Sequence, residues 1–407
     1  MDRDELAAWL RLSLTPGVGS STARKLLAAL GSPQSIFTQG ITTLGHLVNA
    51  AQAQALLCEP AALAPTLQAT LDWLDGADGA VARRVFVLGD PLYPQSLLAI
   101  EDPPIMLYMT GSLDRYAQIA TKNIATDIAV VGSRNPTPQG LTNAQQFARS
   151  FANAGLNVVS GLALGIDGAA HRGALDAVEA APASAGCTIA VVGTGLDRVY
   201  PKRHYELAHR IVQNGVILSE FPIGSAPLSA NFPQRNRLIS ALTQGTLVVE
   251  AAVQSGSLIT ARLAAEQGKE VFAVPGSIHS PQSKGCHLLI KQGAKLVESA
   301  QDVMEELKLP PAIDLGAVSA YSTGLKGQFE PEIMKKNKVQ SIVQPCEDHP
   351  DERILLQALG HDPVSLDALI ARTGIDAPAL QARLMALELA DQVVRLPGGL
   401  FQRQMAG

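Results

Sequence analysis

The fold is decided by residues 246–276, TLVVEAAVQSGSLITARLAAEQGKEVFAVPG. TLVVEAA (246–252) and EVFAVPG (270–276) are short runs, apolar on both faces, as buried strands require. Between them SLITARLAAEQG carries a helical period and stops at a glycine, where a left-handed cap is expected. Strand, crossover helix and strand make one parallel βαβ unit. The pattern recurs upstream in DIAVVGS (127–133), NVVSG (157–161), TIAVVGT (188–194) and GVILSE (215–220), and downstream in AKLVES (294–299), with periodic segments such as TPQGLTNAQQFARSFANAG between them. This repetition predicts an α/β fold, a doubly wound, Rossmann-like parallel sheet covered on both faces.

Just before this region, VFVLGDPLYPQSLLAIEDPPIMLYMTGSL carries Pro91, Pro94, Pro103 and Pro104, which exclude a long helix, while VFVLG and IMLYMTG read as short strands. They extend the sheet domain to 83–309 by covering one edge. Residues 1–79 are helical, and TPGVGSSTARKLLAALGS resembles a helix-hairpin-helix or SAM-like unit, whose glycines let the backbone approach a phosphate. The same turn also occurs as plain scaffolding between helices. Residues 310–347, with GLKGQFEPEIMKKNK, lack an apolar period and read as a linker. In 348–404 three helical patterns precede VVRLPGGLFQR, a hairpin around Pro397-Gly398-Gly399, which together predict a winged helix.

With 407 residues, 47% hydrophobic and 17% charged, the chain is of the globular class and long enough for two or three domains. No stretch approaches the roughly 18 apolar residues of a membrane span, and MDRDELAAWLRLSL lacks a basic signal region, so a cytoplasmic protein is expected. The four cysteines are dispersed without metal-ligand spacing. Net charge is -5, yet residues 121–305 hold 15 Lys+Arg against 13 Asp+Glu, whereas 346–407 hold 5 against 9. A basic face is therefore expected in the middle of the chain and not at its end.

Ligands of open α/β sheets bind at the carboxyl ends of the strands. Those exits carry Gly132-Ser133-Arg134, Ser160-Gly161, Gly193-Thr194-Gly195 and Ser255-Gly256-Ser257, small residues suited to a phosphate-binding rim. No GxGxxG follows the first strand and no GK[ST] occurs, so neither a dinucleotide nor any other cofactor is expected. NFPQRNRLIS (231–240) places Phe232, Arg235, Asn236 and Arg237 at a helix N-terminus above this edge. Arginines that neutralise phosphates beside a ring that stacks on a base suit a single nucleic-acid strand. The same residues also read as a structural salt bridge and a core phenylalanine. Asp167 and His171 are expected to orient a loop, since no nucleophile stands beside them.

GSR (132–134), SGLALGIDGAAHRGAL (160–175), GTGLDRVYP (193–201), SEFPIG (219–224), FPQRNRLIS (232–240) and VVEAAVQSGSLITARLAAEQGKEVFAVPG (248–276) together resemble the DprA/Smf family of DNA-processing proteins. The resemblance covers about 83 to 305, with flanks that agree in layout. It implies a non-enzymatic protein of bacterial natural transformation that binds and protects incoming single-stranded DNA and helps load RecA recombinase, usually as a homodimer. It also implies that Arg134, Phe232, Arg235 and Arg237 contribute to the strand-binding groove. The rival expectation is a nucleotide phosphoribohydrolase of related fold, for which Glu250 stands at the comparable strand end but the PGG of that motif is missing. The winged helix, acidic and with only Arg383 against Glu388 on its second long helix, fits protein contact better than duplex DNA.

Overall fold

The computed structural model describes residues 1–77, 81–121, 127–307, 355, 358–359, 363–390 and 392–403. The expected linker, 310–347, and most of the first winged-helix segment lie outside these. The chain divides into two compact units, Met1–Pro311 and Ala312–Gly407.

The first unit opens with six helices, α1 (Arg3–Leu14), α2 (Ser20–Leu30), α3 (Pro33–Phe37), α4 (Ile41–Leu47), α5 (Ala50–Leu57) and α6 (Leu63–Asp75). Their starts are set locally: Asp2 accepts from the Glu5 amide, and Asn49 and Gln52 form a reciprocal capping box on α5. Leu10, Leu26, Leu44 and Trp73 share one apolar cluster with Val85, Val87 and Tyr108 of the first two strands, so these helices lie against the sheet. The N-terminal segment and the sheet domain, read as separate in the sequence, are thus continuous through their cores.

Nine strands form one sheet, β1 (Ala82–Val87), β2 (Met106–Gly111), β3 (Asp127–Val131), β4 (Asn157–Ser160), β5 (Thr188–Val191), β6 (Val216–Ser219), β7 (Gly245–Val248), β8 (Glu270–Ala273) and β9 (Lys295–Leu296). Their order is β1-β2-β6-β5-β4-β3-β7-β8-β9. Every pair from β6 to β9 is parallel, and β1 and β2 add on antiparallel beside β6. The chain runs one way from β3 to β6 and the other way from β7 to β9, so the topological switch falls between β3 and β7. A ligand crevice is expected there.

After α7 (Leu113–Thr121), the crossovers are α8 (Pro138–Asn153), α9 (Ile166–Ala180), α10 (Tyr205–Asn214), α11 (Asn231–Ala241), α12 (Ser257–Glu266) and α13 (Lys284–Lys291), and α14 (Ala300–Glu306) follows the last strand. One face of the sheet packs on α8 and α9 through Ile128, Phe151, Ala170 and Leu247. The other meets α11, α12 and the 89–105 segment through Val131, Leu238, Ile239 and Leu97. In the second unit, β10 (Val364–Ser365) and β11 (Val393–Leu396) flank β12 (Leu400–Arg403), with Gly398 and Gly399 both at positive φ in the hairpin turn. Helices Leu366–Thr373 and Ala377–Leu389 bury Leu369, Leu380 and Leu384 beside Phe401, which completes the expected winged-helix core.

The α8–α9 contact is close because Gly173 has no side chain; a Cβ there would lie 2.0 Å from the Gln145 carbonyl oxygen. Gly173→Ala is expected to lower stability by ~1–3 kcal/mol through forced separation of the two helices. A thermal melt of that variant checks it, and an unchanged melting temperature would show that the pair is free to shift.

Candidate nucleic-acid interface

α11 starts after β6 and lies across the strand ends, where each of its polar side chains reaches a different loop. Asn231 donates from Nδ2 to the Gly193 carbonyl after β5 (3.0 Å). Arg235, 4% exposed, donates from Nη1 to the Gly161 carbonyl after β4 (2.7 Å) and to the Val191 carbonyl at the end of β5. Asn236 donates to the Gly256 carbonyl at the start of α12 (3.3 Å). Arg237 pairs with Glu220 after β6, and its Nε lies 3.1 Å from Asp102.

The expectation that Arg235 and Arg237 both face phosphates is therefore corrected. Burial lowers Arg235 to about 10, against the pull of Asp167, and its guanidinium points into the strand ends. Arg237 is turned inward because the 89–105 segment packs over α11, with Tyr93, Leu97 and Ile100 in one cluster with Leu238 and Ile239. Sequence periodicity could not reveal that cover. Gly161 is required where it stands, since a Cβ would meet Arg235 Nη1 at 2.3 Å.

The loop after β4 is held from below. Asp167 accepts from the amides of Gly161 (3.1 Å) and Ala163 (3.3 Å). Burial pushes its carboxyl up, while Arg235 and the two amides pull it down. His171 Nε2 accepts from the Leu162 amide (3.3 Å), so the proton sits on Nδ1, which donates to Thr188 Oγ1 (2.7 Å). The pair orients the loop, as its sequence context suggests. Leu162 itself is held at φ 56, the left-handed region.

Above this frame, Gly132, Ser133, Arg134, Phe232, Arg235, Asn236, Ser255, Gly256 and Ser257 border one hollow of about 720 Å³, at the switch point between β3 and β7. The other three expected residues lie behind it: Ser160 donates to the Val130 carbonyl, Gly161 backs onto Arg235, and Arg237 is ion-paired. Arg134 is exposed, and its guanidinium carbon stands 5.4 Å from the centre of the Phe232 ring. Phe232 is half-buried and its other neighbour is Tyr200, with ring centroids 5.7 Å apart and planes at 33°. Tyr200, 45% exposed, was missed by the sequence reading, although it stands in the quoted GTGLDRVYP; a lone tyrosine beside a proline gave no signal that its ring would meet Phe232. The N-terminus of α12 opens on the same hollow; its N-cap, Gly256, offers no side chain, and the Ser257 amide donates to Ser255 Oγ (3.4 Å).

The two strand-end carboxylates are already engaged. Glu250 accepts from the Thr137 amide (2.9 Å) and hydroxyl (2.5 Å) at the start of α8, while burial pushes its carboxyl up. Burial likewise raises Glu220, to about 7, against the pull of Arg237. Among the described residues no group of three or more His, Cys, Asp or Glu could hold a metal ion, and no helix is long and apolar enough to cross a membrane.

A Rossmann-like sheet, extended by an antiparallel pair and carrying a cation and aromatic rings at a hollow on its switch point, places the chain among α/β proteins with a crevice at the carboxyl ends of the strands. Residues 84–308 match the sequence model of DNA recombination-mediator protein A, and 343–399 that of the DprA winged helix domain. Protein Smf of Escherichia coli K12 is 36% identical over 361 residues, 87% of this chain and 85% of that one. DNA processing protein DprA of Streptococcus pneumoniae R6 is 44% identical over 223 residues, 55% of this chain and 74% of that one. The crystal structure of DprA from Streptococcus pneumoniae superposes with a TM-score of 0.56 at 35% identity, covering 75% of this chain and 98% of that one. The chain belongs to the DprA/Smf family.

Two outcomes follow from the frame. Arg237→Ala leaves Glu220 buried without its cation and is expected to cost about 3–5 kcal/mol of stability, whereas Arg134→Ala, at an exposed site, should cost less than about 0.5 kcal/mol. Denaturant unfolding of both variants separates frame from surface. His171 is lowered to about 3, chiefly by burial. The unfolded chain takes up that proton below about 6.5, so the contribution of His171 is present above 6.5 and falls away as pH drops toward 3. The melting-temperature gap between the parent and His171→Gln should accordingly narrow as pH is lowered from about 7.5 to about 5.

Proposed function

We propose that this protein binds single-stranded DNA along the hollow at the β3–β7 switch point, protects the strand and presents it to RecA recombinase. The observation that carries the reading is the Arg134–Phe232–Tyr200 assembly beside the start of α12. A single strand offers a phosphate for every base, and its bases are free to stack; in a duplex the bases are already stacked and paired. Arg134 suits phosphates, and Phe232 suits a base. Arg235, Asn236, Arg237, Ser160 and Gly161 act by holding those surfaces in place.

Family membership supports the DNA-processing role, and the matched description as a recombination mediator supports delivery to a recombinase. Homodimer formation and a cytoplasmic location belong to the same reading. It gives the chain no catalytic step. Glu250 caps α8 and Glu220 neutralises Arg237, so neither carboxylate favours the phosphoribohydrolase alternative.

The test is fluorescence anisotropy with single-stranded and duplex DNA over a salt series, with nucleoside monophosphate hydrolysis as control. Single-strand preference with steep salt dependence is expected, and hydrolysis at background. Arg134→Ala should reduce the slope of log K against log salt by about 0.7, the value for one phosphate. Phe232→Ala should cost ~1–3 kcal/mol of binding with the slope nearly unchanged. Equal affinity for duplex at every salt concentration would overturn the reading.

A further inference from the structure

Tyr200 borders a second hollow, of about 490 Å³, on the side away from Phe232. Its wall is Trp73 of α6 with Arg83 of β1, whose guanidinium donates to the Trp73 carbonyl (2.8 Å). The lining also includes Arg198 and the first turn of α10, where Tyr205 is 59% exposed and its ring centroid lies 4.3 Å from that of His209. The rest of the lining is largely aliphatic. The size is that of a small-ligand site, and the lining, flat rings and aliphatic side chains with a few polar groups, is what a nucleobase requires.

The charge balance indicates which part of a nucleotide would enter. Arg198 donates to the Asp197 carboxylate from Nε (3.0 Å) and Nη2 (2.7 Å), and Asp197 also accepts from the Gly224 amide (2.8 Å). Arg198 therefore offers little uncompensated charge for a phosphate, and Arg83 is held on the Trp73 carbonyl and 5.7 Å from the centre of its ring, while the Tyr205 ring, 59% exposed beside His209, is available for stacking. We propose that this hollow is a second base-binding site, entered by the same strand that occupies the first, with Tyr200 between the two and Tyr205 as the stacking platform. The inference rests on the single-strand reading above and extends it by a site on the α10 side.

The experiment compares labelled oligothymidylates of about 4 and about 15 nucleotides, spanning common single-strand site sizes, on the full chain. The parent should bind both, the longer more tightly. Tyr205→Ala should weaken the longer one on the order of 5- to 100-fold, leave the shorter one unchanged, and keep the salt slope of the parent. Tyr205→Phe should bind as the parent does. Tyr205→Leu, which fills the space without a π face, should behave as Tyr205→Ala and decides the matter if the alanine variant melts early. Parental affinity of the leucine variant for the longer strand, or equal loss on both strands, would overturn the second site. If the parent binds neither oligonucleotide, the single-strand reading itself falls, a result distinct from any given by the variants.

Discussion

The guanidinium of Arg235 is the contact on which the strand-end architecture depends. It is a cation almost wholly out of water, a state that is costly unless partners compensate it, although its Nε has no hydrogen-bond partner among the described residues. The compensation comes from the carbonyls of Gly161 and Val191 and from the nearby Asp167 carboxylate. Since those groups follow β4, end β5 and begin α9, one side chain holds elements that lie 44 to 74 residues before it in the sequence. The loop after β4 has little freedom left: its amides go to Asp167 and His171, and its carbonyl to Arg235.

Around that contact α11 behaves as a clasp. Asn231, Arg235, Asn236 and Arg237 each hold a loop, and Phe232 is the member of the segment whose ring remains at the hollow. Such an arrangement favours a rigid, pre-formed rim, in which backbone amides and rings are in place before any ligand arrives. It also explains why an acidic, aliphatic chain concentrates arginine and asparagine in the seven residues 231–237. They satisfy buried carbonyls and a buried carboxylate that the closely packed strand ends would otherwise leave without partners.

The carboxylates at the rim show the same economy. Glu250 closes the start of α8 and Glu220 neutralises Arg237, so the negative charges nearest the hollow are taken up by this chain's own donors. Arg134 is not ion-paired in this way among the described residues, and its contact is the Phe232 face. The proposed strand-binding role draws on this pairing of an exposed cation with a ring.

Much of this was legible in the sequence. The apolar runs fixed the six inner parallel strands β3 to β8, because a strand buried on both faces needs an aliphatic stretch, and marked the short edge strand β9 as well; the two strands flanking the proline-rich 89–105 segment and the Pro397-Gly398-Gly399 wing followed from local backbone chemistry. The small residues of the β3 and β7 exits were likewise found, since close approach of backbone restricts side-chain size. What the sequence did not determine is the direction in which each side chain of α11 points. That depends on the 89–105 segment, more than a hundred residues earlier, which packs over the helix and turns Arg237 inward to Glu220 and Asp102. Nor could it place Tyr200 against Phe232, or Tyr205 at the edge of a second hollow. Local periodicity encodes which element forms. The partners of a buried charge, and the rings that remain exposed beside it, are decided when distant segments compete for the same space.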